Sequence, residues 1–227
     1  MKTLLTRTIT GIAYLSLLGF AFFFSKYALL TVFTIFLCVA IFEYINLSQA
    51  FPAPKNTMQN AIRKLILPIF WIIIPVLLLE YWCISLESTN IMVALLIMLC
   101  INDTMAYIFG SLFGKHKIWT RISPKKSWEG FVGGLVTTMA VSWFFIQIPY
   151  FKNDLFTNQY LWIGFAFIVI IAGTVGDFVE FMVKRFAKQK DSGHILPGHG
   201  GILDRIDSLL FAVPAGFIYW IIVGLSV

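Results

Sequence analysis

From Lys190 to Asp207 the chain reads KDSGHILPGHGGILDRID, with three aspartates, two histidines and four glycines between apolar flanks. Asp204 and Asp207 stand three apart, on one face of a helix starting there. Upstream, in GTVGDFVEFMVKRF, Asp177, Glu180, Lys184 and Lys188 follow at i, i+3, i+7 and i+11, again one face. The Glu180–Lys184 spacing also suits a helix-stabilising ion pair. Asp103 and Tyr107, in LCINDTMAYIFG, share a face of a third segment. Carboxylates brought to one depth by separate helices form the donor set of a divalent cation with oxygen ligands, most simply Mg²⁺.

The loop PGHGG, Pro197 to Gly201, offers backbone N–H groups suited to phosphate, among them Gly198, Gly200 and Gly201. A plain turn between two spans would have the same composition. Basic residues before it and DRID after it favour the anion reading: donors for phosphate beside a metal site are the parts needed for phosphoryl or nucleotidyl transfer. His199 reads either as a phosphate donor or general acid, or as a structural turn histidine. His194 and His116 have no supporting neighbours. A second polar cluster runs from Gly114 to Gly134 and contains SPKKSWEG. Ser127 is placed to cap the next helix and Trp128 suits a membrane interface. Lys125 and Lys126 then stand at a helix N-terminus, whose dipole also favours anions, a dock for a triphosphate or a lipid phosphate. Lys115, Lys117 and Arg121 read as an ordinary basic loop.

The elements that must position these residues are membrane helices. Of 227 residues 59% are hydrophobic and only 12% charged, against about 25% charged in a soluble domain. No soluble core of this length hides so much apolar surface. The apolar runs are long and unbroken, which excludes the alternating pattern of a barrel. The expected fold is all-α: one polytopic transmembrane helical bundle occupying residues 1–227. Its seven spans fall near 8–24, 27–47, 65–83, 90–111, 130–149, 159–181 and 206–226. The first is read as a retained span, since no small-residue cleavage site follows it. With the N-terminus in the cytoplasm, fifteen of the seventeen Lys and Arg residues lie on the cytoplasmic side and only Lys26 and Lys152 opposite. The polar stretch then faces the cytoplasm. The net charge of +6 needs no nucleic-acid partner, because loop bias and anionic lipid account for it.

Acids inside spans cost about 2.5–3.5 kcal/mol at a helix centre, which marks Asp103 and Asp177 as functional. For Glu43, in AIFEYINL, snorkelling to the interface and a functional use weigh equally. The cysteines Cys38, Cys83 and Cys100 have neither pairing nor metal spacing and read as small buried hydrophobes.

KRFAKQKDSGHILPGHGGILDRIDSL, NDTMAYIFGSLFGKHK and SPKKSWEGFVGG together resemble, in order, the blocks of the phosphatidate cytidylyltransferases (CDP-diacylglycerol synthases). The likeness covers about residues 100–210. It implies a polytopic enzyme of the bacterial inner membrane that uses CTP and phosphatidic acid from the bilayer to make CDP-diacylglycerol and pyrophosphate, with a homodimer expected by analogy. It also implies a metal centre of Mg²⁺ with a monovalent cation, K⁺, at Asp177 and Asp204, and Asp207 belongs to the same motif. Lys184, Arg185, Lys190, Asp191, His199 and Arg205 occupy further motif positions. Phe181 stands where similar proteins carry Ser, and Met105 where a small residue is usual; both are expected to add bulk near the site. Two other functions are weighed against this one. A related CTP-dependent enzyme acting on a prenyl lipid would keep the metal acids and change the lipid groove. An ion-coupled transporter would spread its carboxylates through the membrane depth, whereas here they gather at one end.

Overall fold

A computed structural model describes residues 16–17, 19–22, 24–52, 56–85, 89–120, 122–152, 156, 158–193, 195 and 200–226. The helices are α1 (Lys26–Gln49), α2 (Thr57–Ala61), α3 (Ile74–Ser85), α4 (Thr89–Phe113), α5 (Trp128–Ser142), α6 (Gln159–Phe186) and α7 (Leu203–Ser226). Among the described residues six stretches are long and apolar enough to cross a membrane: Lys26–Gln49, Thr57–Trp82, Thr89–Phe113, Trp128–Gln147, Gln159–Phe186 and Leu203–Leu225. The protein is therefore a polytopic helical membrane protein, as its composition requires. Six of the expected spans are found, five of them within about five residues at each end; most of the first, 8–24, lies outside the described residues.

Thr57–Trp82 begins well before the expected residue 65, because its entry is polar (TMQNAIRK) and apolar patterning alone does not see it. Asn56 caps it by accepting from the Gln59 N–H. Two prolines in this stretch, Pro68 and Pro75, each remove an N–H donor. Backbone bonding slips there to five-residue spacing, over Ile62–Ile66 and Ile69–Ile73, so that the Leu67 N–H reaches the Ile62 carbonyl and the Ile74 N–H that of Ile69. That slip keeps the polar backbone paired where no water is available.

The all-α expectation needs one addition: a two-stranded antiparallel hairpin, β1 (Lys117–Trp119) and β2 (Ser123–Ser127), between α4 and α5. The cysteine expectation is corrected too. Cys38 and Cys100 are exposed, which a span tolerates because its outer face is itself in apolar surroundings.

Two compact units are distinguished: Met1–Glu87 with Met182–Asp207, and Ser88–Phe181 with Ser208–Val227. In the second, Gly130 and Gly134 of α5 lie so close to α4 that a Cβ on either would overlap Ala106 or Asn102, the small-residue contact by which membrane helices approach. In the first, α6 ends in a Schellman turn, with the Lys188 N–H on the Arg185 carbonyl (3.0 Å) and the Gln189 N–H on that of Lys184 (2.9 Å). The turn residue is Lys188, at φ +56°, a left-handed conformation that disfavours any residue with a Cβ by about 1–2 kcal/mol. Lys188→Gly is expected to stabilise the protein by about 1 kcal/mol, read as a higher unfolding temperature in detergent; no rise would show that the Lys188 side chain has compensating contacts.

Candidate active site

Asp103 lies on α4 and Asp177 on α6, while Lys125 and Lys126 lie on β2. All four line one cavity of about 260 Å³, with Asn102 and Tyr107. Lys125 and Lys126 lie at the end of strand β2, just before the N-terminus of α5. Ser127 still caps α5 as expected, its Oγ accepting from the Gly130 N–H at 3.2 Å. Asp177 accepts from the Lys126 ammonium through Oδ2 and from the Ser208 hydroxyl through Oδ1. The ammonium also lies 4.9 Å from the centre of the Phe178 ring and 5.5 Å from that of Phe181. Two aromatic faces and a carboxylate thus fix one cation, each ring adding about 0.5–2 kcal/mol. Phe181 acts here through Lys126 and is not itself a lining residue; Met105, expected to crowd the site, does not line the cavity either. Asn102 donates weakly to Asp103 through Nδ2 (3.3 Å).

The other unit holds Asp204 in the first turn of α7. Its Oδ1 accepts from Lys184 Nζ at 2.7 Å, in a pair whose side chains are each only 7% exposed. Oδ2 accepts from the Gly201 N–H at 2.8 Å, and both oxygens lie within 3.2 Å of the Ser192 N. The Gly201 N–H, expected among the phosphate donors, is thus committed to Asp204. Gly200 adopts φ +85°, open to glycine and strained for most other residues. Gly198 and His199 lie outside the described residues. Arg185, Lys190 and Arg205 are exposed, and Asp191 and Asp207 half-buried. Lys184, spaced to meet Glu180 along its own helix, is paired with Asp204 across the loop.

Glu43 is where the interface reading fails. It is 1% exposed, and its carboxylate accepts from the Ile202 N–H (3.1 Å), the Leu203 N–H (2.9 Å) and the Ser192 hydroxyl (3.4 Å). Its acid is saturated by donors within the protein instead of reaching water. Sequence reasoning also missed Ser192, Ser208 and Phe178. Ser192 and Ser208 stand out only as polar residues beside motif acids; no signal distinguishes Phe178 from the chain's other phenylalanines.

Chemically, the cavity places two carboxylates beside two ammonium groups, which suits a phosphate together with a cation. Among the described residues no three His, Cys, Asp or Glu side chains form a metal-binding group.

A family model for the cytidylyltransferase family matches residues 5–223. A phosphatidate cytidylyltransferase of Staphylococcus aureus (strain COL) is 47% identical over 114 residues, 50% of this chain and 42% of that protein. That of Staphylococcus haemolyticus (strain JCSC1435) is 49% identical over 114 residues, with the same shares. The matched stretch thus spans less than half the length of these relatives. With the match to the family model running through nearly all of its spans, the chain belongs to the cytidylyltransferase family.

Proposed function

We propose that this chain is a phosphatidate cytidylyltransferase, which transfers the cytidylyl group of CTP to phosphatidic acid and releases pyrophosphate. The observation that carries the reading is the cavity joining Asp103, Asp177, Lys125 and Lys126 in a chain of this family. The relatives' name supplies the substrates, and the basic bias of fifteen against two supports a site facing the cytoplasm of a bacterial inner membrane.

An oxygen of the phosphatidate phosphate attacks the α-phosphorus of CTP and a new P–O bond forms. The bond from the α-phosphorus to the bridging oxygen breaks, and its electron pair leaves on pyrophosphate. The attacking phosphate is already largely ionised at neutral pH, its second pKa being about 6 by analogy with phosphorylated side chains, so no strong general base is needed. Lys125 and Lys126 are positioned to neutralise charge on the phosphates and to align the two reactants. Lys184, Arg185, Lys190, Asp191, Arg205 and the loop Gly198–Gly201 complete the proposed set.

The proposed Mg²⁺ ligands are Asp177, Asp204 and Asp207, all hard oxygen donors. When bound, the ion supplies Lewis-acid polarisation of the phosphoryl oxygens. K⁺ is proposed as its companion.

The test uses full-length protein in detergent with CTP, Mg²⁺, K⁺ and a panel of lipids. CDP-diacylglycerol and pyrophosphate should form in equal amounts from phosphatidic acid alone. A prenyl-lipid acceptor preferred over phosphatidic acid would overturn the reading, as would no turnover of CTP with any lipid.

A further inference from the structure

Glu43 belongs to none of the motif blocks, yet it is only 1% exposed and lies against the backbone that holds Asp204. We infer that Glu43 is a positioning residue which sets the geometry of Asp204 by clamping both ends of the loop preceding α7. Its two oxygens divide the work. Oε1 accepts from Ile202 N; Oε2 accepts from Leu203 N and from the Ser192 hydroxyl. Ser192 and Gly201 are the residues whose own N–H groups hold Asp204. One carboxylate from α1 therefore fixes the two backbone segments from which Asp204 takes its hydrogen bonds.

The fit around it is close. A Cβ at Gly193 or at Gly201 would overlap the Glu43 carboxylate, so both glycines are accounted for by backbone approach to this acid. The first N–H groups of a helix lack partners within it and carry the positive end of its dipole. A carboxylate satisfies them better than any neutral group, and here it comes from a residue 160 positions away. A glutamine cannot replace it. Its single oxygen would leave one donor set facing an amide NH₂, donor against donor.

The catalytic half of this inference rests on the proposed function; the structural half does not, and the test separates them. Wild type, Glu43→Gln, Glu43→Asp and Ser192→Ala are compared as full chains in detergent, by amide hydrogen exchange across 190–206 and by steady-state kinetics with phosphatidic acid, CTP and Mg²⁺. In Glu43→Gln, exchange at Ser192 and Ile202–Leu203 is expected to rise about tenfold or more. kcat should fall by a similar factor while KM for phosphatidic acid holds. Glu43→Asp keeps both acceptors and should retain more protection and more activity than Gln, although Gln matches the native size. A role in packing alone predicts the reverse order, and that order would overturn the inference, as would unchanged exchange in Glu43→Gln. If Glu43→Gln is not recovered folded, Ser192→Ala still decides. It removes the Ser192 hydroxyl contact with Glu43, and exchange around Ser192 should rise about threefold; unchanged exchange there would overturn the clamp. If the wild-type chain makes no CDP-diacylglycerol, the exchange data judge the clamp alone and the kinetics count against the proposed function.

Discussion

Asp204→Asn is expected to reduce the proposed CDP-diacylglycerol formation by about 10³-fold and also to lower the stability of the fold. Both effects come from one carboxylate. Asp204 accepts from Lys184, Gly201 and Ser192, and an asparagine turns one acceptor into a donor facing either the ammonium or a backbone N–H. The Lys184–Asp204 pair is only 7% exposed on each side, and breaking such a pair from one side costs about 3–5 kcal/mol. The two effects separate in a double variant. Asp204→Asn with Lys184→Met removes both charges of the buried pair, so the unfolding temperature should recover part of its loss while activity stays absent. Recovery of activity in the double variant would mean that Asp204 serves only to neutralise Lys184.

Helix positions were legible because a run of apolar residues must be long enough to cross lipid, and few alternatives exist for a backbone there. The failures have equally physical causes. The β1–β2 hairpin was hidden because KIW and SPKKS are too short and polar to show alternation, and Pro124 argues against a strand. The entry of the Thr57–Trp82 stretch was hidden because Arg63 and Lys64 interrupt the apolar pattern.

In the site, residue types were legible and partners were not. Asp103, Lys125, Lys126 and Asp177 were each picked out locally, yet nothing along the chain says that Lys126 reaches Asp177, 51 positions on. Helical spacing pointed Lys184 only at Glu180, four residues before it, because that geometry knows only its own helix; the ion pair with Asp204, twenty positions on, was invisible to it. Glu43 was the least legible. A lone acid near the end of an apolar helix looks the same whether it snorkels or is enclosed, and only the fold brings the N-terminus of α7 to it.

Lys126→Met is the second large effect, expected to reduce kcat/KM for CTP by about 10²–10³-fold. Methionine keeps most of the apolar stem that packs along the two phenyl rings and deletes only the charge, so the loss reports on electrostatics. Asp177 would keep the Ser208 hydroxyl but lose its cation. With its side chain only 14% exposed, that also destabilises by about 1–3 kcal/mol. Three companions grade the argument. Lys126→Arg keeps charge and stacks on both rings, and should retain much more activity than Met. Phe181→Ser removes one of the two rings, a change of about 1 kcal/mol, or roughly fivefold in rate. Lys125→Met, at the neighbouring exposed position in the same cavity, should act mainly through KM for CTP. A Lys126→Met enzyme with wild-type kcat/KM would reduce the Lys126–Asp177 pair to a structural brace and move the phosphates to another part of the protein. If the order Arg, Phe181→Ser and Met is observed instead, the rings of α6 are part of the catalytic apparatus, because they decide where the ammonium rests before any phosphate arrives.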